Sequence, residues 1–122
     1  MQTMEKIALI VDDDTDTRDM LCIALTAEDW LCQTTSDLFG ALHVLTEKTS
    51  VMLLDYNLPG IPMEDFIEKV KAINPRLKIV LISGIEDVGG KAKALGIALH
   101  LGKPFEFARL REVMSAAAEG RK

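Results

Sequence analysis

Hydrophobic residues in this chain form short continuous runs that are separated by segments with helical spacing. Three runs contain only apolar side chains, at residues 7–11, 51–54 and 79–82. Continuous runs of this length are typical of strands covered on both faces of a parallel sheet. Two further runs, at residues 31–35 and 98–101, are more polar or shorter, which is typical of edge strands.

Between these runs, apolar residues recur at the i, i+3, i+4, i+7 spacing of amphipathic helices. Three predicted stripes have this spacing: Met20, Ile23, Ala24 and Ala27; Leu38, Ala41, Leu42 and Leu45; and Leu110, Val113, Met114 and Ala117. Phe66, Ile67, Val70 and Ile73 form a further stripe on one helix face. We expect Thr15 or Asp16 to cap the first helix, Ser36 to cap the second, and Asn74-Pro75 to end the third. Alternating strands and helices predict an α/β fold with an open, doubly wound parallel sheet.

The segment at residues 86–95 is the weakest helical pattern, because Gly89 and Gly90 lie in its middle. Each glycine costs about 1 kcal/mol relative to alanine in a helix. Two interpretations remain open. The segment is either an ordinary loop followed by a short helix, or a labile element beside the active end of the sheet.

Composition excludes several classes of protein. A length of 122 residues, with 48% hydrophobic and 27% charged residues, indicates one globular domain. The 14 Lys and Arg against 19 Asp and Glu give a net charge of −5, which argues against direct nucleic-acid binding. We find no membrane span and no secretory signal in the apolar pattern. Cys22 and Cys32 form no disulfide framework, so we expect a cytoplasmic protein.

Polar side chains follow the predicted strands where ligands bind in such sheets, at the carboxyl ends. Asp12 and Asp13 follow the first strand, Asp55 the third, Ser83 the fourth and Lys103 the fifth. Clustered carboxylates repel one another unless a cation joins them, and Mg²⁺ prefers oxygen ligands. Lys103 and Mg²⁺ together carry a charge of +3, which balances the −3 of the three carboxylates. A carboxylate held there is a nucleophile for a phosphoryl group.

Other readings of the acidic stretch fit less well. We interpret Asp14, Asp16 and Asp19 as cap or turn residues. A calcium loop starting at Asp12 needs glycine where Thr17 stands. Cysteine and histidine residues lack the paired spacing of a zinc site.

Taken together, four segments resemble the receiver domain of bacterial two-component response regulators. They are Ile10-Val11-Asp12-Asp13-Asp14, Leu53-Leu54-Asp55-Tyr56-Asn57-Leu58-Pro59-Gly60, Ile82-Ser83-Gly84 and Lys103-Pro104-Phe105. The similarity extends over residues 5–118, so we expect residues 1–122 to form a single receiver domain. The resemblance implies a flavodoxin-like fold with five strands in the order 2-1-3-4-5 and five flanking helices.

The resemblance also implies a role for each site residue. Asp55 would accept a phosphoryl group from a phosphohistidine. Asp12 and Asp13 would be the acidic pair that holds Mg²⁺, with Asp13 and Asp55 as direct ligands and Asn57 binding through its backbone carbonyl. Ser83 would hydrogen-bond the phosphoryl oxygen and Lys103 would pair with it. A cis peptide bond is expected before Pro104.

The implied partners are a sensor histidine kinase or a histidine phosphotransfer protein, which would meet the Asp12 and Asp13 rim and the first helix. An output domain or downstream protein would read the change through the last two helices and the last strand. Such a domain is a signalling phosphoacceptor that catalyses only its own phosphoryl transfer, without metabolic turnover.

Two positions depart from the family pattern. His100 stands where receivers generally have Tyr or Phe, and it is either a tolerated polar residue or the cause of altered or pH-sensitive switching. Leu99 replaces a residue that is often polar, and with Leu101 it suggests an apolar contact surface on the last strand. His100, together with Gly89 and Gly90, leaves one alternative function open, a receiver-like protein-interaction module that does not depend on phosphorylation.

Overall fold

Strands and helices alternate along the chain in the computed structural model, which describes residues 6–84 and 87–119. The strands are β1 (Ile7–Val11), β2 (Leu31–Thr35), β3 (Val51–Asp55), β4 (Lys78–Ser83) and β5 (Leu99–Gly102). The helices are α1 (Thr15–Thr26), α2 (Leu38–Val44), α3 (Met63–Ile73), α4 (Val88–Ala94) and α5 (Phe107–Glu119). Each predicted strand forms, and none of the strand ends differs from its prediction by more than one residue.

The five strands form one sheet in the order β2-β1-β3-β4-β5, and all neighbouring pairs are parallel. This confirms the predicted doubly wound topology. The chain reverses its direction of travel across the sheet at β1, which lies between β2 and β3. Ligands of such sheets bind beyond the carboxyl ends of the strands next to this point.

Apolar side chains of the central strands alternate between two cores, one on each face of the sheet. Leu9 of β1 and Leu54 of β3 face the core covered by α2, α3 and α4. Ile10 and Leu53 face the opposite core, covered by α1 and α5. Burial on both faces explains why these strands are continuously apolar.

The predicted apolar stripe of α1 is wrong. Met20 is 38% exposed and Ile23 is 73% exposed, whereas the buried residues of this helix are Leu21 and Leu25. Two overlapping sets of apolar residues have helical spacing in this segment, one with Met20 and Ile23 and the other with Leu21 and Leu25. The one with the larger leucine side chains packs against the sheet, since it removes more apolar surface from water. At the end of α3, Ile73 also lies exposed instead of buried.

Aspartates cap the first two helices in place of the residues predicted. Asp14 caps α1, where it accepts hydrogen bonds from the backbone N–H and the hydroxyl of Thr17, and the hydroxyl bond in particular lowers the pKa of its carboxyl. Thr15 and Asp16 lie inside the helix, and so does Asp19. Asp14 is therefore a cap as interpreted, whereas the other two aspartates are helical.

Asp37, and not Ser36, caps α2 by accepting a hydrogen bond from the Gly40 N–H. A carboxylate at this position also interacts favourably with the positive end of the helix dipole.

Two predictions near the end of the chain also need correction. Helix α4 begins at Val88 and has Asp87 as its cap, so Gly89 and Gly90 lie in its first turn and not in its middle. Glu86, the predicted start, lies outside the described residues. Leu101 is buried in the core beside α5, so it does not contribute to an apolar contact surface on β5. Within the part of the chain described, no helix is both long and apolar enough to cross a membrane.

Candidate functional site

Three carboxylates meet at the carboxyl ends of β1 and β3. One ligand oxygen each from Asp12, Asp13 and Asp55 lies within 4.8 Å of the others. Asp12 is 2% exposed and Asp55 is 7% exposed, while Asp13 projects towards solvent. The parallel pairing of β1 with β3 brings these side chains together across more than forty residues of sequence.

Lys103 supplies the positive charge of the cluster. Its Nζ donates a hydrogen bond to Asp12 Oδ2 over 2.7 Å. The residue follows β5, its backbone N–H donates to the carbonyl of Ser83 at 2.8 Å, and its peptide bond to Pro104 is cis, as predicted. Three carboxylates and one ammonium group have a net charge of −2, which matches the charge of one divalent cation.

Both carboxylate oxygens of Asp12 accept hydrogen bonds within the protein. Oδ2 accepts from Lys103, and Oδ1 accepts from the Asp14 N–H at 2.9 Å. Asp12 is therefore held in one orientation, which leaves Asp13 and Asp55 with more freedom to bind a cation directly.

Asp55 lies in an environment that disfavours its charge. Burial raises the pKa of this carboxyl above its ordinary value, and the charges of Asp12 and Asp13 act in the same direction. A hydrogen bond from the Asn57 N–H, 3.3 Å from Asp55 Oδ1, and the charge of Lys103 oppose this rise. A cation bound between the carboxylates would remove the repulsion among them.

The other predicted residues occupy different positions around the cluster. The strand register pairs Asp55 with Ile82, so Ser83 stands one residue further along the neighbouring strand, fully buried. Asn57 is exposed in the loop after β3. His100 is half-buried on β5 and packs against α4, because a Cβ atom added to Gly89 would lie 3.1 Å from its Nε2.

One residue that supports the site is absent from the sequence-based prediction. Arg18 Nη1 donates a hydrogen bond to the backbone carbonyl of Asp12 at 2.7 Å, and its Nη2 donates to Thr15 Oγ1 at 3.2 Å. An arginine one turn into the first helix lies close to the loop before that helix. The position of Arg18 in the sequence could therefore have indicated this contact. The contact fixes the backbone that presents the acidic pair.

Comparison with known proteins gives concordant matches in sequence and structure. A family model described as the response regulator receiver domain matches residues 8–115. Sporulation initiation phosphotransferase F of Bacillus subtilis is 28% identical over 113 residues, which are 90% of this chain and 90% of that protein. The DNA-binding transcriptional regulator NtrC of Klebsiella pneumoniae is 33% identical over 82% of this chain, but the match spans only 22% of NtrC.

Solved structures agree with these matches. NtrX from Brucella abortus, solved in complex with ADP, superposes with a TM-score of 0.84 at 29% identity and covers 97% of this chain and 27% of that one. The signal receiver domain of an HD domain-containing protein from Pseudomonas fluorescens Pf-5 has a TM-score of 0.85, with 96% and 97% of the two chains covered. At 21% identity this second likeness supports the fold alone.

Proposed function

This chain belongs to the response regulator receiver domain family, and from that premise we propose that Asp55 accepts a phosphoryl group from a phosphohistidine of a partner protein. The observation that supports this best is the meeting of Asp12, Asp13 and Asp55, with Lys103 bonded to Asp12, at one end of the sheet. A receiver domain is a signalling domain, and its phosphoacceptor role requires one reactive carboxylate.

The residues present fit a magnesium ion. Asp13 and Asp55 would bind it directly, and the exposed loop after β3 would add the backbone carbonyl of Asn57. Asp12 would bind through water, because both of its oxygens already accept hydrogen bonds. The bound ion would neutralise the charge that develops on the phosphoryl oxygens.

Three side chains of the protein, those of Asp55, Lys103 and Ser83, take part in the transfer. A carboxylate oxygen of Asp55 forms a bond to phosphorus as the bond from phosphorus to the histidine nitrogen breaks, and that nitrogen keeps the electron pair of the broken bond. Lys103 leaves Asp12 to pair with the new phosphoryl group. The hydroxyl of Ser83, on the strand next to Asp55, donates to a phosphoryl oxygen.

The product differs from the reactant in charge and in bonding. The side chain of Asp55 changes from −1 to about −2, and this attracts the groups at the ends of β4 and β5. His100, packed against Gly89, connects this edge of the sheet to α4. We therefore place the readout on the face formed by α4, β5 and α5.

The proposed partners follow from this chemistry. A sensor histidine kinase or a histidine phosphotransfer protein supplies the phosphoryl group. The protein or output domain that reads the signal contacts the α4, β5 and α5 face, and this domain itself contacts neither nucleic acid nor membrane. The matched NtrC and NtrX are several times longer than the region they share with this chain, which supports an attached or separate output partner. A cytoplasmic location, suggested by the unpaired thiols of Cys22 and Cys32, stays a prediction.

The function is tested by intact mass after incubation with Mg²⁺ and a small acyl phosphate. We expect one added phosphoryl group on the wild type and none on Asp55→Asn or in the presence of a chelator. Asp65→Asn, which removes an exposed carboxylate of α3, serves as the matched control and should still be modified.

A phosphoryl group that persists on Asp55→Asn would assign the acceptor to another residue. If neither the acyl phosphate nor a phosphohistidine protein modifies the wild type, the phosphoacceptor function is wrong. The phosphorylation-independent interaction module then becomes the better description.

A further inference from the structure

A large exposed aromatic ring lies beside the loop that follows the acceptor strand. Phe39 is in the first turn of α2, and 63% of it is exposed. A Cβ atom added to Gly60 would lie 3.2 Å from Phe39 Cε2, so the ring lies directly beside Gly60. An aromatic side chain on a surface helix is otherwise free to turn into solvent, and here it lies beside one position of a neighbouring loop.

The loop at residues 56–62 is packed from the inside by its own side chains. Leu58 is buried in the core between the sheet and α3, and Tyr56 and Ile61 pack against the same core. Gly60 has no side chain to anchor it, and its φ of +117° is a conformation that other residues rarely adopt. The ring of Phe39 lies beside this exposed point of the loop.

The position of this loop determines two features of the candidate site. The Asn57 N–H donates to Asp55 Oδ1 at 3.3 Å, and this bond orients the acceptor carboxylate. The same residue presents the backbone carbonyl proposed as a magnesium ligand. Displacement of the loop would therefore alter the carboxylate and the carbonyl together.

We infer that Phe39 is a positioning residue for the cation and acceptor site, acting through its contact with Gly60 and the loop at residues 56–62. This inference rests on the proposed function, since it assigns the loop to Mg²⁺ binding. A phenyl ring cannot bind Mg²⁺, so Phe39 would act only by limiting the motion of the loop backbone.

The test compares Phe39→Ala with Phe39→Tyr, which keeps the ring. Phe107→Ala is the matched control, because Phe107 is also exposed, at 57%, and lies on α5 on the opposite face of the sheet. Mg²⁺ affinity is measured by calorimetry, amide hydrogen exchange is followed at residues 56–61 without metal, and unfolding is monitored in denaturant.

We expect Phe39→Ala to weaken Mg²⁺ binding by about tenfold and to speed exchange in the loop. Phe39→Tyr and Phe107→Ala should resemble the wild type in both measurements. Because Phe39 is exposed, its replacement should leave the domain folded, and the denaturant midpoint checks this directly.

Three results would overturn the inference. Unchanged Mg²⁺ affinity in Phe39→Ala, beside a wild type that binds the metal, refutes the positioning role and leaves the proposed function intact. An equal loss in Phe107→Ala shows that the effect is not specific to the loop. A wild type that does not bind Mg²⁺ refutes the proposed function and this inference with it.

Discussion

Lys103 Nζ lies 2.7 Å from Asp12 Oδ2, although 91 residues separate the two along the chain. The ion pair joins the end of β5 to the end of β1 across the carboxyl edge of the sheet. It offsets part of the repulsion among Asp12, Asp13 and Asp55, and the same ammonium group is available to a phosphoryl group on Asp55. One ammonium group therefore stabilises the resting cluster and, in the proposed mechanism, pairs with the phosphoryl group.

Replacement of Lys103 should separate Mg²⁺ binding from the effect of phosphorylation on partner binding. Lys103→Ala leaves the carboxylate of Asp12 buried without its ion pair, and we expect the free energy of unfolding to fall by about 2 kcal/mol without metal. The variant should still bind Mg²⁺, since no metal ligand is lost. Phosphorylation should no longer change binding to the output partner. Lys69→Ala on α3, outside the α4, β5 and α5 face, is the control, and a normal phosphorylation-dependent response in Lys103→Ala would contradict the proposed role of Lys103.

Neutralising Asp55 should stabilise the metal-free protein. Burial raises its pKa above the ordinary value of 3.8, so the folded state disfavours the charged form. The penalty is absent below that value, where the carboxyl is protonated in both folded and unfolded chains. It grows as pH rises through the pKa of the folded state and is then constant. Asp55→Asn should therefore unfold at higher denaturant than wild type at pH 7, and the difference should vanish at low pH. Equal midpoints at pH 7 would argue against the penalty.

Asp13 should contribute to metal binding more than neighbouring aspartates do. Asp13→Asn removes a carboxylate that we propose as a direct ligand, and we expect Mg²⁺ affinity to fall at least about tenfold by calorimetry. Asp16→Asn, a change in the first turn of α1, alters the net charge equally without removing a ligand. If both variants lose the same affinity, long-range charge and not coordination explains the effect.

Two adjacent residues, Ser36 and Asp37, are candidates for the cap of α2, and their replacement shows which of them stabilises the helix. Asp37→Ala removes the acceptor for the Gly40 N–H and should lower the free energy of unfolding by about 1 kcal/mol. Ser36→Ala changes the residue expected from sequence, which has no capping bond in this structure, and should have little effect. Denaturant unfolding of the two variants decides between them, and the reverse order would restore Ser36 as the cap.

The contact between His100 and Gly89 can be measured by a double-mutant cycle. Alanine favours a helix over glycine by about 1 kcal/mol, but a Cβ atom on Gly89 meets the imidazole at 3.1 Å. Gly89→Ala should therefore stabilise the protein more in a His100→Ala background than in the wild type. Additive effects would show that the ring moves aside at no cost and does not couple β5 to α4.

The sequence by itself determined the sheet and the composition of its acidic edge. Apolar runs such as 51–54 are buried on both faces, and this requirement leaves few alternatives to a central parallel strand. Because parallel strands end on the same edge, the carboxylates after β1 and β3 had to meet, and they do. The edge positions of β2 and β5 agree with the prediction from their more polar or shorter runs, and the cis bond before Pro104 agrees with what the resemblance to receiver domains implies.

Only the tertiary structure decided which of two similar local patterns is used. In α1 the leucines at 21 and 25 face the core and Ile23 does not, because helical spacing alone fits both sets and the packing surface selects one. The contacts of Arg18 with the Asp12 carbonyl and of Phe39 with Gly60 depend on how helices lie against loops. Such contacts join residues whose separation in sequence follows no helical or strand period. They form only when the helices and loops pack together, so the sequence pattern does not reveal them.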